Sequence, residues 1–239
     1  MCVPALDGSL TRSGPDTCTW TLMDYDNDIQ SVLTAIGRPD RPQTSGAAVA
    51  LTLSVGIECL ALHLALSTRA DGADHHRYHT DLRGRIDEWR GVAQEAFVED
   101  PVHVGEVIDA RRARKAGPED GSQGNARREL DALHQANAVL LRLMEVSLAL
   151  EADASEMLRG RGVAHARAEA ATAMHLAEAA TRSVTSMLVA NVATAKARGA
   201  DFDMVPMDVR AVEEIASRIP HEEARLRLDR ALAGMDPPA

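Results

Sequence analysis

The chain has 239 residues, with 36 acidic and 26 basic side chains and a net charge of −10. This excess of negative charge disfavours nucleic acid or an anionic membrane surface as the main partner. Aromatic residues make up only 3% of the sequence, whereas 45% is hydrophobic, so the core must consist mainly of Ala, Leu, Val and Met. Most of these residues favour helices, and the composition therefore favours an all-α fold.

The N-terminal region carries neither the basic start nor the apolar run of a signal peptide. We therefore expect a cytoplasmic location and interpret residues 1–20 as a disordered tail. Apolar residues recur at helical spacing from Asp24 to Ile36, which predicts a short amphipathic helix there.

The most informative segment is Ala47–Leu66, which is apolar or small throughout except for Glu58 and His63. It is long enough to span a bilayer, but both polar side chains would then sit unpaired in lipid. We interpret it as the central helix of a bundle, buried on all sides, and we expect no membrane partner. A buried Glu58 needs a partner, either in a structural ion pair or in a functional site.

Further helices are predicted as far as the C-terminus. Asp100-Pro101 is typical of an N-cap followed by Pro at the first helical position, so one helix should end near Glu99 and another begin there. No segment alternates like a strand. We predict a single-domain helical bundle of about six to eight helices over residues 21–235, with a C-terminal tail at residues 236–239. The later helices are predicted at 125–158, 164–197, 207–219 and 220–232.

The sequence offers no convincing metal site or required cofactor. His75, His76 and His79 lie close together, but no second Cys/His cluster supplies the remaining ligands. We therefore interpret these histidines as part of a solvated helix start. The Glu-x-x-His pairs of a di-metal bundle do not occur in the sequence.

Two carboxylates are better candidates for chemistry. Asp100 is either the N-cap described above or a site residue. Glu169 is surrounded by alanines, and desolvation there would raise its pKa and suit it to general acid or base catalysis. A surface Glu169 paired with Arg161 or Arg167 is the alternative.

The loop and helix at Pro42-Gln43-Thr44-Ser45-Gly46-Ala47-Ala48 carry a family resemblance. They resemble the Pro-Gly-Gly-Gly-Ser loop and Ala-rich helix of the cyclodeaminase/cyclohydrolase domain of the formiminotransferase-cyclodeaminase family. Asp100 then matches the family's acidic residue, although a second register places Ala93 at that position. The segment from Ala136 to Leu140 resembles the family's Ala-x-x-x-Pro, with Leu in place of Pro.

The C-terminal half of the resemblance depends on a spacing. The family has an Asn twenty-two residues after the Asp of a Ser-Asp pair, and counting back from Asn191 places Glu169 on that Asp. The resemblance implies an all-α homodimer that opens or closes a C–N ring of a small molecule, with a tetrahydrofolate derivative as one candidate substrate. It implies that Glu169 moves protons and that Asp100 assists or stabilises positive charge.

The same resemblance implies that Gln43, Thr44, Ser45 and Gly46, together with Asn191, shape the ligand pocket. We add Glu58 to these candidate binding residues because of its place in the apolar helix. The Ala-rich face around residues 170–180 is a candidate contact between subunits, because small residues permit close helix packing.

Three family glycines are replaced by Gln43, Thr44 and Ser45, whose side chains fill space close to a ligand. The chain is then either a cyclase repurposed for specialised metabolism or a folate enzyme that tolerates the altered loop. The alternative is a non-catalytic dimeric binding or scaffold protein that kept the fold.

Overall fold

The computed structural model describes residue 34 and residues 45–67, 76–116, 122–160, 164–197 and 209–233. These residues form six α-helices and no strand, which confirms the all-α prediction. The predicted helix Asp24–Ile36 and both predicted tails lie outside the described residues, apart from the helical residue 34. The helices are α1 (Ser45–Ser67), α2 (His76–Ala116), α3 (Ser122–Leu158), α4 (Arg167–Ala197), α5 (Val209–Arg218) and α6 (Glu222–Leu232), with a 3₁₀ helix at Ala164–Ala166 before α4.

The long helices α2 and α3 run antiparallel along their whole length. Arg85 near the start of α2 binds Asp153 near the end of α3, with Nη2 and Oδ1 2.8 Å apart. Near the end of α2, Arg111 binds the fully buried Glu129 near the start of α3 at 2.6 Å. Because both ends of the pair are tied by ion pairs, the two helices are held in a fixed register.

The remaining long helices complete an up-down-up-down bundle. The Thr181 hydroxyl of α4 donates to Ser147 of α3 at 2.9 Å. His63 of α1 donates from Nδ1 to the carbonyl oxygen of Ala166, immediately before α4. The helices α5 and α6 pack against the ends of α3 and α4. The apolar core lies between the four long helices.

Helix α1 is buried on one side only, which corrects the prediction of burial on all sides. Its inner face includes Leu53, Ile57 and Leu60, none of which is exposed. On the outer face Val55 and Leu62 are each 50% exposed. The reason is its corner position: α1 packs against α2, α3 and α4, and no described helix covers its outer side.

Glu58 lies on this outer face, so the prediction of a buried Glu58 was wrong. Its two oxygens accept from Nε and Nη2 of Arg90 on α2 at 2.7 and 2.8 Å. This bond holds the pKa of Glu58 below its ordinary value. Of the two roles considered for Glu58, the structure shows the ion pair.

By length and composition, α1 is the one helix among the described residues that could cross a membrane. A helix that packs in the core of a soluble bundle has the same composition.

The predicted helix boundary at Asp100-Pro101 was wrong, since α2 continues through Pro101. The proline removes one backbone N–H from the helix, but packing on both sides keeps α2 continuous. On one side Arg142 of α3 binds Glu99. On the other side the Asp100 side chain accepts the Ala47 N–H of α1. Asp100 therefore caps a different helix from the one that its sequence predicts.

The Ala-rich face of α4 lies inside the protomer. Ala170, Ala173 and Ala177 are fully buried, and Ala180 is 1% exposed. They belong to the main hydrophobic core. This corrects the prediction that the face around residues 170–180 packs between subunits, because its surface is already covered by the bundle.

Candidate functional site

A cavity of about 620 Å³ lies at the end of the bundle where α1 begins. All four long helices contribute to it. Its apolar wall includes Val49, Val104, Leu140 and Met187. Its polar side chains are Ser45, Thr52, Asp100, Ser183 and Asn191. The volume is within the range of about 300–1,000 Å³ that is usual for small-molecule sites.

Asp100 is the central charged group of this cavity. Its side chain is buried, with 2% exposure, and Oδ2 accepts the Ala47 N–H at 3.2 Å. That N–H is in the first turn of α1, where helix donors have no partner within the helix. Burial raises the pKa of Asp100 from 3.8 to about 6, although the Ala47 N–H and His103 both act to lower it.

Gly46 makes the approach of Asp100 to α1 sterically feasible. A Cβ at position 46 would overlap the carboxyl carbon and both oxygens of Asp100. Only glycine therefore permits the carboxylate to reach the Ala47 N–H.

Two hydroxyls of the cavity wall, those of Thr52 and Ser183, keep only acceptor oxygens for a ligand. The hydroxyls of Thr52 and Ser183 donate to the carbonyl oxygens of Ala48 and Ala179, each at 2.8 Å. A hydroxyl has one proton, so each oxygen keeps only its lone pairs for a ligand.

The amide of Asn191 is held by a neighbour behind the cavity wall. Its Nδ2 donates to Oδ1 of Asn137 at 2.7 Å. Asn137 is on α3 and is 1% exposed. Asn137, Thr52, Ser183 and Met187 were not predicted as site residues from the sequence. A polar Asn within the apolar stripe of α3 was a usable signal for Asn137.

Of the predicted site residues, the structure brings Ser45, Gly46, Asp100 and Asn191 together at the cavity. Gln43 and Thr44 lie outside the described residues. Ala93, the alternative to Asp100, is buried in the hydrophobic core.

Two predicted residues lie elsewhere. Glu58 lines a separate groove between α1 and α2 with Arg90 and Phe97. Glu169 is in the first turn of α4 and close to Cys59, whose thiol pKa is raised by burial and then by the charges of Glu169 and Glu58.

Along α4, the rise from Glu169 to Ser183 of the cavity is roughly 20 Å. Glu169 is therefore not part of the cavity around Asp100. In the part of the chain that the structure describes, no three His, Cys, Asp or Glu side chains are grouped to hold a metal ion.

The fold and the cavity define a helical-bundle domain with a cavity of small-molecule size beside one buried carboxyl group. A family model described as formiminotransferase-cyclodeaminase matches residues 28–201, which is more than half of the chain. The chain therefore belongs to the formiminotransferase-cyclodeaminase family. A comparison with curated proteins found no match.

Replacing Gly46 with Ala should displace Asp100, because the new Cβ takes the space of its carboxylate. We expect a loss of about 1–3 kcal/mol in the free energy of unfolding, as for other overpacked sites. Gly91→Ala is the matched control on α2, since a Cβ there meets nothing within 4 Å. That control should gain about 0.5–1 kcal/mol. Urea titrations test both values, and equal effects of the two substitutions would refute the steric role of Gly46.

The raised pKa of Asp100 predicts a pH dependence of stability. The folded state keeps this proton up to about pH 6, whereas the unfolded state releases it near 3.8. The stabilising contribution is therefore complete below pH 4 and is lost as the pH rises to 6. In the wild type the free energy of unfolding should fall by on the order of 3 kcal/mol over this pH window because of Asp100, and Asp100→Asn should remove that fall. The exposed Asp109→Asn on the same helix is the control. If the free energy of unfolding of Asp100→Asn depends on pH as that of the wild type does, burial of the Asp100 charge is contradicted.

Proposed function

We propose that the chain is an enzyme that opens or closes a ring at a C–N bond of a small molecule, with Asp100 moving the proton. The observation that carries the proposal is a buried carboxyl group, with a pKa of about 6, facing a cavity of substrate size. Such a group exchanges protons readily near neutral pH. Family membership supports the reaction class.

In the proposed ring opening Asp100 takes part in two proton transfers. As water adds to the ring carbon between the two nitrogens, one of its protons passes to the Asp100 carboxylate. The carboxylic acid then returns that proton to the departing nitrogen as the C–N bond breaks, and the hydroxyl left on the carbon becomes a carbonyl group by releasing its proton to solvent. Ring closure is the reverse sequence, and no metal or cofactor is required. The acceptor oxygens of Thr52, Ser183 and Asn191 would favour a substrate that carries positive charge.

The substrate that we propose to test first is a one-carbon derivative of tetrahydrofolate. Gln43, Thr44 and Ser45, which replace three glycines of the family, also suit a different cyclic C–N compound. A biosynthetic cyclase that acts on such a compound is therefore the second candidate function. Glu169 has no role in the proposed chemistry because it lies away from the cavity.

The proposed activity is tested by absorbance-monitored hydrolysis of methenyltetrahydrofolate. Asp100→Asn should lower kcat by about 10²–10⁴, the usual contribution of a general acid or base. Glu169→Gln is the matched control and should keep the wild-type rate. Because Asp100 must begin as a carboxylate, kcat/KM should rise as the pH passes through about 6.

Two results would change this assignment. If Asp100→Asn and Glu169→Gln lower kcat equally, Glu169 takes part in the reaction and the proposed role of Asp100 alone is wrong. Absence of turnover in the wild type would exclude this folate substrate, and wild-type and Asp100→Asn proteins would then be compared on other cyclic amidines. Failure of those substrates as well would favour the non-catalytic binding role.

We also propose that the chain forms a homodimer through the outer face of α1. The side chains at Leu51, Val55, Glu58, Leu62 and Ala65 recur at alternating spacings of four and three residues. This is the spacing of a coiled-coil seam. In a two-fold antiparallel arrangement centred near Glu58, Val55 of one copy lies opposite Leu62 of the other.

Charge complementarity favours a second copy over lipid as the occupant of this face. Each protomer presents two acids and one base there, since Arg90 of α2 binds both Glu58 and Asp87. A two-fold axis brings each acid near the base of the other copy. In a bilayer the same ion pair would lie at the middle of the apolar helix, where charges are unfavourable.

The substitution Leu62→Lys should shift the dimer to monomer, because it places a charge in the seam. Leu226→Lys is the matched control: Leu226 is 40% exposed on α6 and, like Leu62, follows a Glu by four residues. In both helices the new Lys can pair with that Glu, so neither helix is weakened. Sedimentation velocity measures the outcome. A monomeric wild type at tens of micromolar, or dissociation by Leu226→Lys as well, would refute this interface.

A further inference from the structure

Two arginines share one buried carboxylate where α2 ends and α3 begins. Glu129 of α3 is fully buried, and its Oε1 accepts from Nε of Arg111 at 2.6 Å. Its Oε2 lies 3.3 Å from Nε of Arg114. Both arginine side chains are partly exposed, and among the described residues no other group pairs with either guanidinium. The terminal amino groups of two fixed guanidinium groups are therefore open to a ligand.

This arrangement contains more positive charge than the register of α2 against α3 requires. At the opposite end of the same helix pair, the single Arg85 binds the single Asp153. Here two guanidinium groups meet one carboxylate, so one positive charge is left over. The helix dipole favours cations near the end of α2, but it does not explain a buried carboxylate that holds both Nε atoms.

The surroundings of the two arginines are basic in an otherwise acidic protein. The described residues 111–116 and 122–131 contain six basic and two acidic side chains, whereas the whole chain has a net charge of −10. The acid nearest along α2, Asp109, is paired with Arg112. This end of the bundle is therefore suited to an anionic group.

The arginines lie on the same side of α2 as the cavity. Residues 100, 104, 111 and 114 recur at helical spacing, so all four project within roughly 40° of the direction of Asp100. Asp100 and Val104 line the cavity. Arg111 begins roughly 16 Å beyond Asp100 along the helix axis. Helical side chains lean towards the helix N-terminus, which for Arg111 is the direction of the cavity.

The stretch of α2 between the cavity and the arginines carries no competing charge on this side. Val107 occupies it and packs in a small apolar cluster with Leu130 and Leu133. A ligand that extends from the cavity along α2 would thus meet an apolar section and then the two guanidinium groups.

We propose that Arg111 and Arg114 form a carboxylate-binding subsite for the substrate whose ring reacts at Asp100, which makes that substrate an elongated organic acid. A guanidinium binds a carboxylate through two parallel hydrogen bonds. One surplus positive charge matches a carboxylate better than a phosphate dianion. The inference rests on the proposed function, because it names the substrate class of the same site. The tetrahydrofolate derivative that we propose to test first has carboxylates at the end remote from its ring and belongs to this class.

The first test compares benzoate with benzamide, two probes of the same shape that differ in charge. NMR titrations of the full-length, ¹⁵N-labelled protein follow the Nε–H signals of Arg111 and Arg114. We expect benzoate to shift both signals and to bind at least about tenfold more tightly than benzamide, which is the effect of one charge-assisted hydrogen bond or more.

The variants separate anion binding from the structural role of the ion pairs. Arg114→Gln leaves Glu129 paired with Arg111 and should weaken benzoate binding roughly tenfold. Arg112→Gln is the matched control, because it removes the same charge from an exposed side chain paired with Asp109. It should leave benzoate binding unchanged. Arg114→Lys keeps the charge without the planar fork and should bind benzoate with intermediate affinity, which also covers the case in which Arg114→Gln does not fold.

The link to the substrate is tested in the methenyltetrahydrofolate assay. Arg114→Gln should raise KM roughly tenfold and leave kcat unchanged, because the subsite contributes equally to ground-state and transition-state binding. Asp100→Asn should have the opposite pattern, with a lower kcat and unchanged benzoate binding.

Three results would overturn the inference. These are equal binding of benzoate and benzamide by the wild type, equal loss of benzoate binding in Arg114→Gln and Arg112→Gln, and an unchanged KM in Arg114→Gln. Benzoate binding at the arginines without turnover would refute the proposed reaction on this folate and keep the carboxylate subsite. Turnover with equal binding of the two probes would do the reverse.

Discussion

The contact between the Asp100 carboxylate and the first turn of α1 is the interaction on which the site depends. The partial positive charge of a helix N-terminus stabilises a carboxylate, and the Ala47 N–H accordingly lowers the pKa of Asp100. Burial has the larger, opposite effect and raises that pKa to about 6. The same contact joins α1 to α2, closes one side of the cavity and requires glycine at position 46. The geometry of the site and the raised pKa of its carboxyl group thus both depend on one buried side chain.

The polar side chains of the bundle lie in two kinds of location, the contacts between helices and the wall of the cavity. Ion pairs such as Arg85–Asp153 and Arg111–Glu129 fix the register of α2 against α3. The cavity instead holds uncharged oxygens around a single carboxyl group. Because the hydroxyl protons of Thr52 and Ser183 are directed to backbone carbonyl oxygens, these two side chains offer acceptor oxygens to a ligand. That polarity agrees with chemistry at an amidine or iminium carbon, the reaction class that we propose from family membership.

The sequence predicted the fold, and four of the eight residues that it singled out line the cavity. Helical spacing and composition were sufficient for the bundle, and the family resemblance identified Gly46, Asp100 and Asn191. Local sequence patterns gave wrong predictions where a contact between distant residues determines the structure. The Asp100-Pro101 pair resembles the N-cap of a new helix, but Asp100 bonds to Ala47, which is 53 positions away. A uniformly apolar helix does not reveal which face is covered, so Glu58 was wrongly placed in the core. Spacing matched Glu169 to a family Asp, yet the helical rise separates it from the cavity.

The most direct test of the central claim is a ¹³C NMR titration of the Asp100 carboxyl carbon, assigned by comparison with Asp100→Asn. A buried carboxylate against the α1 N-terminus predicts a midpoint near pH 6. A midpoint at or below the ordinary value of 3.8 would show that Asp100 is solvated or fully stabilised as an anion. In that case the cavity would lack the proton carrier on which the proposed chemistry depends.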